Sequence, residues 1–462
     1  MSTQLQSSSQ LRLSTKLAYG SGNLANTVPL ALQNFFWLFF LTNVAGLSPS
    51  LAGTVLLIGK VWDAINDPII GWLSDRTRSP WGRRYPWMVL GAIPFGIFLT
   101  LQWIVPQFGS NQMLLFAYYV IISLLFDTAL TIVRIPYQAI APELTQNYAE
   151  RTSLISVQTA FTYGGVFSAL ILAQLVFTLV ADSSIKYLIL AGVCAALSVF
   201  VIYLSVWRTY SQTTTLHFVR SQSAPFNFFQ IRLIFQNRAF LCVSGIFLLA
   251  QLGIQLAYTI LPYFMVNWLG QTDKSVTPIG LLGLATSLLM LFFWNRVRQH
   301  ISKRAIYLLG MPLWILAHLG MILIQPSQIN WMYGLVVIAG IGASTRILVP
   351  YSMLPDVIDA DELQSGQRRE GVFYGMLSLF QKLSIAIALF LVGQSLEWAG
   401  FVSAIAGQPA PSQPDTALFA IRLLYGPIPA LMGIGSLIAA YFYPITPNTH
   451  AEILLRLEKK RH

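Results

Sequence analysis

Two aspartates one helical turn apart are the residues in this chain best suited by type and spacing to bind a small cation. The segment Lys60-Val-Trp-Asp-Ala-Ile-Asn-Asp-Pro68 places Asp63 and Asp67 four residues apart, with Asn66 beside them. Residues at this spacing share one face of a helix. Two carboxylates that close repel each other unless one is protonated or a positive charge lies between them.

The sequence offers two sources of that positive charge, a bound cation and a nearby lysine. Carboxylate and amide oxygens are the ligands that hard cations prefer, so Asp63, Asn66 and Asp67 together indicate a site for Na⁺ or a similar ion. Alternatively Lys60, three residues before Asp63, neutralises one acid as a structural ion pair. Both interpretations hold if Lys60 exchanges with the ion.

The surrounding chain is strongly apolar, which makes these charges unusual. Of the 462 residues 55% are hydrophobic and 10% charged, against about 25% charged in soluble proteins, and the mean hydropathy is +0.62. This composition excludes a soluble enzyme, a nucleic-acid-binding domain and a disordered chain. A spanning helix needs about 20 apolar residues, and twelve segments qualify: 17–45, 51–74, 85–106, 112–141, 153–181, 185–207, 239–268, 277–295, 304–325, 331–355, 372–397 and 418–443.

The basic residues predict the orientation in a cell (inner) membrane. With a cytoplasmic N-terminus, 21 of the 28 Lys and Arg residues fall in cytoplasmic segments and 2 in outer loops. Cytoplasmic loops carry such an excess, so we expect both termini to be cytoplasmic. The same bias explains the net charge of +11 without a nucleic-acid partner.

The expected fold class is all-α: a polytopic membrane protein with twelve transmembrane helices in two pseudo-symmetric six-helix bundles. Similar basic turns at residues 75–84 and 295–304, six helices apart, support an internal repeat. The predicted parts are a cytoplasmic tail, the N-terminal bundle, a cytoplasmic linker, the C-terminal bundle and a second tail, at residues 1–15, 16–208, 209–238, 239–443 and 444–462.

Charged clusters in the predicted cytoplasmic loops form a second candidate site. They indicate salt bridges between the halves that close the inner side of a pore, and such networks bias one of two conformations. The alternative is a solvated loop. The candidate gate residues are Asp75, Arg83, Arg84, Asp356, Asp359, Arg368 and Arg369.

Several of these segments resemble a known transporter family. Residues 60–87 are similar to the helix 2 signature of the glycoside–pentoside–hexuronide:cation symporters, the melibiose permease-like branch of the major facilitator superfamily. Residues 135–144 and 150–153 resemble the next two signatures, and residues 355–363 with 368–371 the C-terminal one. The resemblance implies the major facilitator fold, a central cavity open alternately to each side, and coupling to Na⁺, Li⁺ or H⁺.

The resemblance also implies roles for individual residues. Asp63 and Asp67 match the family's cation-binding acids and Asn66 its neighbouring polar residue, while Thr131 falls where a helix 4 threonine contributes to the cation site. Lys382 matches a helix 11 lysine close to those acids, so it joins Lys60 as a candidate for coupling.

The sugar-binding side departs from the family pattern. Thr27 and Arg134 stand where the family has aspartates, and Gln138 and Gln158 where it has a tryptophan and an arginine. Arg346 lies near the position of a sugar-stacking tryptophan. These five residues, with Asp127, are the candidate substrate-binding residues.

Replacing a carboxylate by Arg134 changes the chemistry that the cavity prefers. Guanidinium groups bind carboxylate and phosphate through paired hydrogen bonds, so Arg134 and Arg346 suggest an acid-bearing substrate. The alternative is that Arg134 pairs with Asp127, seven residues earlier, or with another acid.

These observations predict a cation-coupled symporter of a sugar, glycoside or sugar acid. A lysolipid symporter is an alternative, because relatives in the same branch carry lipids, and a non-transporting membrane sensor is a third. The histidines and cysteines show no metal-ligand or catalytic spacing, so we expect no enzyme activity and no cofactor. We expect a monomer whose partners are the bilayer, a monovalent cation and a small-molecule substrate.

Overall fold

The computed structural model of the chain describes residues 11–109, 111–145, 147–213, 235–404 and 411–461. These ranges are wound mainly into helices, as a membrane requires, since backbone groups in lipid must satisfy one another. The helices, in chain order, are α1 (Leu13–Asn43), α2 (Pro49–Arg76), α3 (Tyr85–Gln102), α4 (Gln112–Leu144), α5 (Tyr148–Leu179), α6 (Ser183–Thr213), α7 (Arg238–Trp268), α8 (Val276–Val297), α9 (Lys303–Met321), α10 (Ile329–Ser365), α11 (Glu370–Trp398), α12 (Asp415–Tyr441) and α13 (Pro447–Arg461).

The predicted all-α, polytopic fold is confirmed by these helices. Among the described residues, eleven helices are long and apolar enough to cross a membrane. The twelfth, α2, is 28 residues long but more polar, because it carries Lys60, Asp63, Asn66 and Asp67. Large apolar side chains such as Leu90, 74% exposed, point outward, as expected of surfaces that face lipid.

The chain divides into two compact units. The first comprises residues 1–222 with the segment 403–411, and the second residues 223–402 with 412–462. Helices α1–α6 belong to the first and α7–α13 to the second. Residues 1–10 of the tail predicted at 1–15, and residues 214–234 of the linker predicted at 209–238, lie outside the described residues. Within the described ranges, α1 already begins at Leu13 and α6 continues to Thr213.

Helix packing follows the same order in each unit. In the first, α4 packs against α2 and α3, and α1 against α5 and α6; in the second, α10 packs against α8 and α9, and α7 against α11 and α12. The first helix of each unit also contains a π-helical turn, at Gln33–Trp37 in α1 and Phe264–Trp268 in α7. The two units therefore repeat one architecture.

Glycines let the helices around the predicted cation site approach closely. A Cβ on Gly91 of α3 would lie 2.5 Å from a methyl of Ile132 on α4, and one on Gly59 of α2 would lie 2.8 Å from Oδ2 of Asp127. Small residues at such contacts are the usual means of bringing membrane helices together. They place the polar faces of α2 and α4 within hydrogen-bonding reach.

Candidate functional site

Helix α2 carries its two acids on one face, as their one-turn spacing predicted, and this face meets α4. Asp63 is buried, with 4% of its surface exposed, and the side chain of Asp67 is 20% exposed. Thr131 of α4 is fully buried. Its Oγ1 lies 3.1 Å from Oδ1 of Asp67 and 3.4 Å from Oδ1 of Asp63. Three of the four residues that the sequence assigned to the cation site are therefore together.

The positive charge between the acids is the guanidinium of Arg134. Its Nη2 donates to Oδ1 of Asp63 at 3.0 Å and to Oδ1 and Oδ2 of Asp67 at 2.6 and 2.8 Å. One nitrogen thus lies within 3.0 Å of three carboxylate oxygens. This arrangement relieves the repulsion between the two carboxylates, the role that the sequence offered to a bound cation or to Lys60.

The sequence left open whether Arg134 pairs with Asp127 or with another acid. In the structure its ion-pair partners are Asp63 and Asp67. The seven-residue spacing pointed to Asp127 on the same helix. The guanidinium instead reaches across to α2, and Asp127 contributes to its surroundings through charge. Long arginine side chains extend well beyond their own helix face, so spacing along α4 did not determine the partner.

Lys60 and Asp127 lie around a small cavity beside this cluster. The cavity is also lined by Gln33, Gln102 and Ser123, and Gln33 donates to Gln102 at 3.0 Å. Within this cluster the three acids Asp63, Asp67 and Asp127 and the two bases Lys60 and Arg134 together carry one excess negative charge. A single monovalent cation would neutralise that excess.

Asn66 is buried beside Asp63 and Asp67, but its role is not defined by a contact. It is 4% exposed, and its Nδ2 has no hydrogen-bond partner within the described part of the chain. Its predicted place among the cation ligands therefore stays a prediction.

The candidate substrate residues of the first unit lie on three helices. Thr27 of α1 is buried and donates to the carbonyl of Asn23 at 2.6 Å, so its hydroxyl is satisfied within its own helix. Gln138 of α4 is exposed, and Gln158 of α5 is half-buried. None of these positions tests the predicted contact with substrate.

One candidate substrate residue and one candidate coupling residue belong to the second unit. Arg346 of α10 donates from Nη1 to Oε1 of Gln251 on α7 at 2.5 Å, and its Nε is buried without a hydrogen-bond partner among the described residues. Lys382 lies half-buried on α11. Their roles in substrate binding and coupling stay predictions.

The gate residues of the first unit form a network within that unit. Arg84 contacts Asp75 and donates to Oγ of Ser74 at 2.7 Å. Arg83 donates to Oε1 of Glu143 from Nη2 at 2.7 Å, and Nε of Arg84 reaches the same oxygen at 3.4 Å. Glu143, at the end of α4, lies in a recognised signature but was not assigned to the gate from sequence.

A second network joins the end of α10 to the start of α11. Arg369 donates to both oxygens of Asp361, at 2.6 and 3.0 Å, and both side chains are at least nine-tenths buried. Arg368 binds Glu362 at 2.8 Å and Asp359 at 3.2 Å. The hydrogen bonds that Arg368 donates to Glu362 and Glu370 raise its pKa, so it stays charged.

Asp356 contacts two residues that were not predicted to belong to the gate. Lys303, at the start of α9, donates to its two oxygens at 2.8 and 2.7 Å. His450 of α13 lies 3.6 Å from Asp356 and 3.1 Å from Asp359. The predicted gate acids are therefore paired inside their own unit, and bridging between the halves stays a prediction.

Comparison with known proteins gives matches over nearly the whole chain. A family model described as MFS/sugar transport protein matches residues 18–447. The uncharacterized symporter sll1374 of Synechocystis sp. is 40% identical and covers 99% of both chains. The sodium-dependent lysophosphatidylcholine symporter 1 of Gallus gallus is 26% identical, over 97% of this chain and 89% of that protein.

Solved structures show the same fold. A bacterial homolog of the human lysosomal transporter Spinster, in an inward-facing and unoccupied conformation, superposes with a TM-score of 0.66 at 15% identity, over 96% of this chain and 97% of that one. At this identity the likeness concerns the fold alone.

Proposed function

Because the chain belongs to the MFS/sugar transport protein family, we propose that it is a cation-coupled symporter that carries a sugar, glycoside or sugar acid by alternating access. The family and the full-length relatives are transporters, so the chain is a membrane transporter and not an enzyme. The proposal concerns the coupling cation, which is Na⁺, Li⁺ or H⁺, and the class of substrate.

One observation carries the proposal: two carboxylates, Asp63 and Asp67, face the same point between α2 and α4 together with the hydroxyl of Thr131. Ionisable groups at membrane depth are costly and occur mainly where they function. Oxygen ligands from two acids and a hydroxyl suit a small hard cation. The same acids bind H⁺ if the coupling ion is a proton.

Coupling follows from the charge of this cluster. The three acids of the cluster, Asp63, Asp67 and Asp127, outnumber its two bases by one. A bound cation therefore removes a net charge that opposes reorientation of the empty site. A ligand shifts a conformational equilibrium by its differential affinity for the two states. We assign Lys60 and Lys382 to coupling, and Thr27, Asp127, Arg134, Gln138, Gln158 and Arg346 to the substrate side.

Uptake into proteoliposomes tests the proposal directly. The purified chain is reconstituted, and accumulation of labelled methyl-β-galactoside, glucuronic acid and methyl-β-glucuronide is measured under inward gradients of Na⁺, Li⁺ or H⁺. We expect one gradient to drive accumulation of at least one probe, and Asp67→Asn to abolish accumulation against a gradient while exchange continues.

Asp415→Asn is the matched control, because Asp415 is an exposed acid in the first turn of α12. It should leave gradient-driven accumulation unchanged. Normal uphill accumulation by Asp67→Asn would show that Asp67 does not couple cation to substrate.

A lysolipid is the second candidate substrate. The Gallus gallus relative, a sodium-dependent lysophosphatidylcholine symporter by name, aligns with 97% of this chain. Arg134 and Arg346 suit a phosphate headgroup as well as a sugar acid. Sodium-driven uptake of lysophosphatidylcholine, unaffected by the sugar probes, would select this alternative, whereas cation binding without any transport of either class would select a sensor.

A further inference from the structure

Resting on the proposed cation coupling, we propose that Arg134 is a built-in counter-ion that occupies the cation site until an oxyanion of the transported molecule draws it away. The substrate is then an acid, and its carboxylate, sulfonate or phosphate group exchanges with Asp63 and Asp67 for the guanidinium. The vacated aspartates accept the coupling cation. Substrate and cation bind together, because the substrate anion neutralises the displaced Arg134 and the cation neutralises the aspartates that Arg134 has left.

The geometry makes Arg134 and a coordinated ion mutually exclusive. Nη2 lies 2.6 to 3.0 Å from three oxygens of Asp63 and Asp67. An oxygen-bound cation of the size of Ca²⁺ or Na⁺ lies roughly 2.3–2.6 Å from its ligands. The nitrogen therefore occupies the position that the ion would take. Binding of Na⁺ or Li⁺ at these oxygens requires the guanidinium to leave.

The guanidinium cannot leave without another anion. Its side chain is 13% exposed, and an uncompensated buried charge is strongly unfavourable. Asp127 also acts on the guanidinium of Arg134 through its charge, but Asp127 lines a cavity together with the basic residue Lys60. An oxyanion supplied by the substrate meets the need, and arginine binds such groups bidentately.

Arg134 has donor capacity left for this purpose. The hydrogen bonds to Asp63 and Asp67 use Nη2 alone, while Nε is buried without a hydrogen-bond partner in the ranges that the structure describes. Arg134 and Asn26 line one narrow cavity with Gly22 and Tyr137. The amide oxygen Oδ1 of Asn26 is likewise buried and unpartnered within those ranges.

These two unsatisfied groups differ in kind. Nε of Arg134 is a donor that an oxyanion satisfies, and Oδ1 of Asn26 is an acceptor that a hydroxyl satisfies. Hydroxyls both donate and accept, so those of a neutral glycoside satisfy the hydrogen bonds of both atoms. Only an oxyanion also matches the charge of the guanidinium, and a sugar acid carries an oxyanion and hydroxyls on one small molecule.

The test measures cation binding rather than transport. Purified full-length protein in nanodiscs is titrated with ²²Na⁺, with Li⁺ as competitor, and proton uptake is followed with an indicator dye. Each titration is made without added solute and with glucuronic acid, glucose 6-phosphate, methyl-β-galactoside or lysophosphatidylcholine. The variants are Arg134→Gln, which removes the charge, and Arg134→Lys, which keeps it; thermal unfolding verifies that each is folded.

For the native chain we expect an acid probe to raise cation affinity at least tenfold and methyl-β-galactoside to leave it unchanged. Arg134→Gln should bind the cation at least tenfold more tightly without solute and lose the response to the acid. Arg134→Lys should keep part of that response. Glucuronic acid or glucose 6-phosphate acting alone identifies a small acid, and lysophosphatidylcholine acting alone identifies a lipid phosphate.

Two outcomes overturn the inference. One is cation affinity that neither the acid probes nor Arg134→Gln changes; the other is affinity raised by methyl-β-galactoside and not by the acids. If the native chain still accumulates a probe on a cation gradient, the proposed function stands while the inference fails. If no cation gradient drives uptake of any probe, the proposed function itself is wrong, whatever the cation-binding titrations show.

Discussion

Replacing Arg134 by glutamine should make the stability of the protein depend on sodium. The change removes the guanidinium that joins Asp63 and Asp67 and leaves a buried and a half-buried carboxylate next to each other. Removing one partner of a buried ion pair costs about 3–5 kcal/mol. The three side chains are 13%, 6% and 20% exposed, so solvent screens little of this loss.

Sodium should restore much of the loss in the variant. A ligand that binds the folded state at a hundred times its dissociation constant stabilises by about 2.7 kcal/mol. For a unit of roughly 200 residues, 1 kcal/mol shifts the unfolding midpoint by about 2–4 °C. Arg134→Gln should therefore unfold about 6–20 °C below the native chain in choline chloride and recover about 5–11 °C in sodium chloride.

The assay is thermal unfolding of the purified protein in detergent, at equal ionic strength in choline and sodium chloride. The native chain should respond weakly to sodium, because Arg134 fills the site. Arg346→Gln is the control, since Arg346 is a half-buried arginine that donates to the amide oxygen of Gln251, and the midpoint of this variant should be the same in both salts. A variant as stable as the native chain in choline, or equally stabilised by both salts, would refute this reasoning.

Three further predictions concern packing and the charge networks. Gly59→Val should lower the free energy of unfolding by about 1–3 kcal/mol and reduce cation-driven uptake, because its Cβ would lie 2.8 Å from Oδ2 of Asp127. Asp361→Asn should cost about 3–5 kcal/mol by leaving buried Arg369 without its carboxylate, whereas Asp361→Leu with Arg369→Met should restore most of that stability. Glu143→Gln should destabilise the α3 end of the first unit more than Asp75→Asn, because Glu143 binds two arginines and is the more buried acid; hydrogen exchange of α3 measures the difference.

Each of these has a control or a contradicting result. Gly245→Ala is matched to Gly59→Val, since its Cβ would meet a methyl of Ala439 at 3.4 Å, and it should be neutral. If the double variant Asp361→Leu with Arg369→Met is as unstable as Asp361→Asn, the stability lost in Asp361→Asn is due to packing and not to the unpaired charge of Arg369. Equal exchange of α3 in the Glu143 and Asp75 variants would contradict the shared role of Glu143.

The sequence predicted the fold and the shared helical face of Asp63 and Asp67, because both depend on local patterns. Runs of about 20 apolar residues are sufficient to predict membrane helices, and the one-turn spacing placed Asp63 and Asp67 on one face of α2. The partner of those acids depends on how α2 and α4 pack, which spacing within α4 does not reveal. A small residue, Gly59, was the available signal that α4 approaches α2 near Asp127.

The gate shows the same limit. The acids and arginines were visible as clusters in two predicted loops, and the expected pairing ran between the halves of the chain. Inside each unit the structure pairs them with residues that sequence reasoning did not single out: Glu143, Lys303, Asp361, Glu362 and His450. Partners that lie tens of residues away along the chain become apparent when helix ends are placed in space.

The low hydropathy of α2 has a consequence for how the protein is made. Each Asp or Lys near the centre of a spanning helix costs about 2.5–3.5 kcal/mol during insertion, so α2 gains little by entering lipid alone. Arg134, which neutralises Asp63 and Asp67, emerges from the ribosome more than 60 residues later. We expect nascent α2 to wait beside the insertion machinery until α4 is synthesised. Neither cysteine of the chain lies before α4, so a thiol introduced by Ile65→Cys in α2 should react with water-soluble thiol reagents in a ribosome-bound chain truncated before α4.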